Sequence, residues 1–202
     1  NQRHFNYLRV DLESSGNALY SINEIAGTHK SDSGYYRIFG VRYSQYFRIN
    51  IDFRYYFYFK NKTNSLVWRL LLGAGVPYGN SDELPYEKGF YAGGANDMRG
   101  WVFKSLGPGD YSGNSPYEKI GDIQIEGNLE YRFPIYSFFK GALFTDIGNI
   151  WTYERSTTFP GGQFYFNKFY KQLAVDAGVG FRFDFQILIF RIDVAEIGRA
   201  SC

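Results

Sequence analysis

The sequence predicts an all-β fold, a transmembrane antiparallel β-barrel, and three observations support this prediction. The first is composition: aromatic residues make up 21% of the 202 residues, yet the mean hydropathy is −0.34 and charged residues make up a further 21%. Strands of a membrane barrel place alternate residues in lipid and in a polar interior, so their average hydropathy stays low. Aromatic side chains collect at the two membrane interfaces. The other two observations are strand alternation and connection length.

Polar and apolar residues alternate most clearly between Asp122 and Phe133. The even positions of this segment are all polar, whereas the odd positions are apolar apart from Gly127. Similar alternation occurs in residues 47–55 and 172–185. A period of two is the pattern of a strand with two different faces. We expect seven strands, paired antiparallel in sequence order with their apolar faces toward lipid, near residues 5–14, 43–59, 64–76, 121–134, 139–151, 171–185 and 187–195.

The connections between these strands alternate in length. Long polar connections cover residues 23–42, 77–120 and 152–171, whereas residues 60–64, 134–138 and 184–186 form short turns. Short periplasmic turns opposite long outer loops are typical of outer-membrane barrels.

Seven such strands predict an incomplete barrel. An open sheet would leave unpaired backbone groups in hydrocarbon, and bacterial barrels usually have an even number of strands. We therefore expect residues 1–195 to be one part of a larger barrel, with a long loop at 77–120. Residues 196–202 break the alternation, so we interpret them as a non-native or frame-altered tail.

Several classes of function are disfavoured by the sequence. A net charge of +2 gives no reason to expect a nucleic-acid partner. The single cysteine, Cys202, offers no metal-ligand spacing, and we expect neither a metal nor a cofactor. The two histidines, His4 and His29, lie outside any serine or aspartate pattern that would suggest a catalytic centre, so an enzyme is not expected.

Five segments together resemble the BamA/TamA family, also called the bacterial surface antigen family. Residues 90–101 (FYAGGANDMRGW) resemble the sixth extracellular loop of that family, with its Gly-Gly stretch and Arg-Gly-aromatic tip. The family's twelfth to fifteenth strands are similar to residues 127–134, 141–151, 178–182 and 191–195. Residues 52–56 and 80–99 look most like the versions found in Bacteroidetes.

This resemblance implies a sixteen-stranded barrel in the bacterial outer membrane, of which the chain starts near the ninth strand. It implies a protein that assembles, inserts or translocates other proteins, without enzymatic activity or cofactor. The implied partners are outer-membrane lipids, client outer-membrane or secreted polypeptides, and periplasmic or inner-membrane assembly partners reached through N-terminal domains. Two alternatives stay open: a passive porin-like channel, and a two-partner secretion transporter of the same family.

The resemblance also implies a site. In the family, the loop arginine folds into the barrel and pairs with acids on the wall. The matching arginine here is Arg99, and the matching acids are Glu130 and Asp146. Glu130 independently lies on the polar face of its strand, and Phe144 shares the inward parity of Asp146. Three glycines would allow a tight backbone there: Gly93, Gly94 and Gly100. Trp101 could pack beside the arginine or sit at the membrane interface. The alternative is a solvated Arg99 with unrelated wall charges.

Overall fold

A computed structural model describes residues 4–60, 63–113, 118–185 and 187–199. Most of these residues belong to one sheet and to the loops at one of its ends. The strands and the helix, in chain order, are β1 (Phe5–Ser15), α1 (Asn17–Ile25), β2 (Arg37–Ile38), β3 (Val41–Arg42), β4 (Tyr46–Tyr58), β5 (Ser65–Pro77), β6 (Ile123–Tyr136), β7 (Phe139–Trp151), β8 (Ala174–Asp184) and β9 (Ile189–Arg199). Single turns of 3-10 helix lie at Tyr86–Lys88 and Phe169–Lys171.

The main sheet has seven antiparallel strands in the order β1-β4-β5-β6-β7-β8-β9. The predicted all-β class and the predicted sequential pairing are confirmed. Within the described residues β1 pairs only with β4 and β9 only with β8, so the sheet is open, as expected of an incomplete barrel.

The two faces of the sheet differ in chemistry. The inner face, defined here as the one covered by residues 78–122, carries buried polar side chains such as Glu126 and Asp146, both 0% exposed. The outer face carries apolar side chains such as Leu129, Leu143 and Ile147, which are 42%, 50% and 42% exposed. Burial of polar groups and exposure of aliphatic ones is the reverse of a soluble sheet and fits a lipid-facing exterior.

The long loop of residues 78–122 covers the inner face. Its apolar side chains form a buried cluster with the outer ends of β7 and β8: Phe90, Ala92, Met98, Leu106, Ile150 and Ala174. The loop approaches the strands closely because Gly73 leaves space: a Cβ at that position would lie 2.3 Å from the Phe90 ring. This packing brings the tip of the loop over β6, β7 and β8.

Four details differ from the sequence prediction. Helix α1 follows the predicted first strand and extends into the predicted connection 23–42, and the small β2–β3 hairpin lies where that connection was expected to be irregular. Strand β8 begins at Ala174 rather than 171, because the preceding residues form a helical turn and Leu173 lies just outside the strand. Strand β9 continues to Arg199, so its ladder with β8 extends into the segment that we interpreted as a tail. Gln186 of the predicted reversal, Asn61 and Lys62 of a predicted turn, and residues 200–202 lie outside the described residues.

None of the helices in the described part of the chain is long and apolar enough to cross a membrane.

Candidate functional site on the inner face

The tip of the long loop is a narrow turn that starts at two glycines. Gly93 and Gly94 have φ values of 106° and 112°, a region that favours glycine. The Gly94 N–H donates to the Trp101 carbonyl at 2.9 Å, which closes the turn. A Cβ at Gly93 would lie 2.3 Å from the Val102 carbonyl oxygen, so the two sides of the turn leave no room for a side chain there.

Arg99 lies at this tip and contacts two carboxylates on the strands. Its Nε and Nη2 each donate to Asp146 at 2.8 Å, to Oδ2 and Oδ1 respectively, and its Nη1 donates to Glu130 Oε2 at 2.7 Å. The Arg99 side chain is 6% exposed, and the side chains of Glu130 and Asp146 are 9% and 0% exposed. The fork of a guanidinium is suited to such two-point contact with a carboxylate. The structure therefore brings together the arginine and both acids suggested by the resemblance.

Phe144 lies directly beneath the guanidinium. The Arg99 Cζ is 3.4 Å from the centroid of the Phe144 ring, a distance typical of cation–π contact. The ring shields one side of the charge from water, while Asp146 and Glu130 occupy its edges. Each of the three guanidinium nitrogens thus donates to a carboxylate on β6 or β7.

The backbone of the tip adds a third acid that the sequence analysis missed. The Gly100 N–H donates to Asp176 Oδ2 at 2.7 Å, and Asp176 on β8 is 0% exposed. A Cβ at Gly100 would lie 2.8 Å from the Asp176 Cβ, so only glycine allows this approach. The Arg99 N–H also donates to Asp146 Oδ2, at 3.2 Å. The dipeptide 99–100 therefore contacts one acid on each of three neighbouring strands.

Additional polar groups support the two acids paired with Arg99. Glu130 Oε1 accepts hydrogen bonds from Arg132 Nε, at 2.7 Å, and from Arg182. Asn128 Nδ2 donates both to Asp146 Oδ1, at 3.0 Å, and to the backbone carbonyl of Asp97, at 3.1 Å. These contacts hold the wall carboxylates in position and do not involve Arg99.

The structure distinguishes between the two placements considered for Trp101. This side chain is partly buried and packs against the inner-face cluster that contains Met98 and Leu106. Trp101 therefore lies inside, beside the tip, and not in the lipid interface. Met98 is 0% exposed and was not singled out by sequence reasoning, because a lone methionine in a polar loop carries no periodic signal.

Asp97 is a further acid at the tip. Its Oδ1 is shielded from solvent and has no hydrogen-bond partner among the residues that the structure describes. Burial raises the pKa of Asp97 to about 7, and the negative charge of Asp146 acts in the same direction, whereas Arg69 opposes it. This loop carboxyl therefore holds a proton at a pH where an ordinary aspartate is ionised.

Within the described residues, no group of three histidine, cysteine, aspartate or glutamate side chains is placed to hold a metal ion. The site is a set of ion pairs and hydrogen bonds between a loop and a wall.

Comparison with known proteins gives three findings. The family described as the Omp85 superfamily domain matches residues 14–199. The outer membrane protein assembly factor BamA of Neisseria meningitidis serogroup B is 30% identical over 120 residues, which is 54% of this chain and 15% of that protein. The crystal structure of BamA from Haemophilus ducreyi lacking POTRA domains 1–3 is similar in fold, with a TM-score of 0.58 at 18% identity over 76% of this chain and 32% of that one.

Proposed function

The chain belongs to the Omp85 superfamily of outer-membrane β-barrel proteins, and on that premise we propose that it is the barrel part of a protein that assembles other proteins into the bacterial outer membrane. The chain spans 15% of the curated relative and 32% of the solved structure described above. The name of that relative, an outer membrane protein assembly factor, supports this proposal. The chemistry would be an exchange of backbone hydrogen bonds, in which a client strand pairs with an exposed strand edge.

The observation that carries the proposal is the docked tip of the long loop. Arg99 reaches two wall acids and Gly100 a third, and the guanidinium is almost fully buried. A passive channel needs charged residues along its lumen, but it does not need a buried loop arginine whose three guanidinium nitrogens all donate to wall carboxylates. We propose that these contacts, called the loop lock here, hold residues 78–122 inside the barrel. They also keep β6, β7 and β8 in a fixed arrangement while a client strand pairs at an exposed strand edge elsewhere in the barrel.

The proposal is tested with Arg99→Ala in the full-length protein, reconstituted in phospholipid vesicles. The measurement is the rate at which an unfolded outer-membrane protein acquires its folded, heat-modifiable form. We expect a clear loss in Arg99→Ala and partial recovery in Arg99→Lys, because lysine keeps the charge but not the fork.

Arg54→Ala is the matched control. Arg54 also lies on the inner face and pairs with Asp52, but its side chain is 39% exposed and Asp52 keeps Arg69 as a second partner. Assembly should therefore continue in this variant. Wild-type assembly by Arg99→Ala, or ion conductance without any assembly by the wild-type protein, would contradict the proposal and favour a channel.

A further inference from the structure

Helix α1 has the opposite orientation to that expected of a helix on a soluble protein. One side of α1 is aliphatic and exposed: Leu19 is 39%, Ile22 61% and Ile25 88% exposed. The other side faces the protein, with Tyr20 edge-on to the buried Tyr36 at 5.4 Å between ring centroids. A surface helix in water normally buries its aliphatic stripe and exposes its polar face. The stripe of α1 therefore needs an apolar environment outside the described residues.

The start of α1 lies on the lipid-facing side of the sheet. Asn17 Nδ2 donates to Ser14 Oγ at 2.6 Å, and Ser14 shares the outer face of β1 with Val10 and Leu12. Val10 and Leu12 are 48% and 65% exposed, and their partners across the strand pair are the outward Ile51 and Ile49. The aliphatic stripe of the helix thus continues an apolar surface that already faces the membrane.

The position of α1 is fixed. Asn17 Oδ1 accepts hydrogen bonds from Gln45 Nε2, at 3.0 Å, and from the Tyr78 hydroxyl, at 2.8 Å. Gly16, with a φ of 78°, makes the turn from strand to helix, and a Cβ there would lie 2.5 Å from the Ser44 carbonyl oxygen. The long loops lie at this end of the sheet, which makes it the outer end of the barrel.

We propose that α1 lies in the interface of the outer leaflet, with Leu19, Ile22 and Ile25 against lipid acyl chains. A short helix with one apolar side and one polar side is suited to this position, where the apolar side enters the boundary between headgroups and chains. Lipid is favoured over a protein partner because the stripe is continuous with the lipid-facing surface of β1. The helix would anchor the rim of the barrel at the depth where the hydrocarbon ends.

The test uses the full-length protein in vesicles of phosphatidylcholine and phosphatidylglycerol. Ile22→Cys, in a background without other cysteines, is labelled with an environment-sensitive fluorophore and exposed to two quenchers: doxyl-labelled lipid and aqueous iodide. Glu24→Cys is the matched control, since Glu24 is exposed and lies about 160° from Ile22 around the helix, on the polar side. We expect lipid to quench the label at position 22 more strongly than at 24, and iodide to show the opposite order.

Two outcomes would overturn the inference. Equal quenching by iodide at both positions would place the helix in water, and protection of position 22 from both quenchers would show that protein covers it. Heat-modifiability of each labelled variant shows that the barrel is folded, and Ile25→Cys repeats the measurement at a second position on the stripe. The readout does not depend on assembly activity, so it can fail or succeed independently of the proposed function.

Discussion

Two of the long loops are held on the same sheet by different kinds of contact. The tip of residues 78–122 docks through ion pairs and backbone amides, with Arg99 between Asp146 and Glu130. Residues 152–173 dock through aromatic rings: Phe164 lies 5.4 Å from the Trp151 ring and 5.6 Å from the ring of Phe169, between centroids. The first loop lies on the inner face and the second closes over the outer end of β7.

The two loops should respond differently to substitution. Ion pairs and hydrogen bonds are directional, and removal of one buried partner leaves the other without compensation. Ring packing is less directional, and its loss scales with the contact area removed. A single substitution should therefore be able to abolish the docked position of residues 78–122. The docking of residues 152–173 should instead weaken gradually as ring contact is removed.

The largest effect is expected for Arg99→Ala. The substitution leaves the buried Asp146 without its cation, whereas Glu130 keeps Arg132 and Arg182, and the loss of one partner of a buried pair typically costs about 2–5 kcal/mol. Limited proteolysis of the membrane-embedded protein should then cut within residues 78–122 while the barrel stays folded. Lys140→Ala is the control, because its ion pair with Asp184 leaves the Lys140 side chain 46% exposed and such surface pairs contribute about 0–1 kcal/mol. Equal protection of the loop in wild type and Arg99→Ala would remove the distinction between the two loops.

A smaller effect is expected for Asp176→Ala. This change leaves the partly buried Gly100 N–H without an acceptor, at a cost of roughly 1–3 kcal/mol. Asp176→Asn keeps a carbonyl oxygen for that N–H and should restore most of the protease protection of the loop. If the alanine and asparagine variants are cleaved at the same rate, the hydrogen bond to Gly100 does not hold the tip.

Trp151→Phe tests the aromatic loop. The Trp151 side chain is 0% exposed and its Nε1 donates to Gln172 Oε1 at 2.8 Å. Phenylalanine keeps most of the ring contact but loses this bond, so we expect a loss of about 1 kcal/mol. The expected readout is slightly faster cleavage within 152–173 with no change in 78–122. Cleavage of both loops would show that they are coupled.

The smallest effect is a pH dependence from Asp97. A carboxyl whose pKa is raised on docking stabilises the docked form below its ordinary pKa of 3.8, and this contribution is lost as the pH rises toward about 7. The loop should therefore resist protease better at pH 5 than at pH 8. The difference should be modest, because Asp97 as a whole is only half-buried. Asp97→Asn, compared at the same two pH values, should reduce the difference.

Sequence alternation was sufficient to predict the strands and their faces. Residues 122–133 have a strict period of two, and the structure places Glu126 and Glu130 inside and Leu129 outside accordingly. Helix α1 was missed because Leu19, Ile22 and Ile25 recur at helical spacing over only nine residues, inside a segment that looks polar. Such a short stretch gives little intrinsic reason for a helix to form, and its position depends on contacts with distant residues.

The site was predictable only in part, and for a physical reason. Arg99, Glu130 and Asp146 are charged residues in segments that resemble the family, so the resemblance could suggest them. Asp176 acts on a backbone N–H, and no side-chain pattern marks the residue that will accept from glycine. The end of β9 was also misjudged, since pairing with β8 continues past Glu196 although the alternation weakens.

The docked loop has a consequence for the order of events during biogenesis. A segment enclosed by a cylinder has to enter while one side of the cylinder is still open. Every wall partner of dipeptide 99–100 lies on β6, β7 or β8, the three strands that directly follow the loop in the chain. The open sheet already presents a complete docking surface, so we expect the tip to settle onto these strands first and the remaining wall to close around it afterwards.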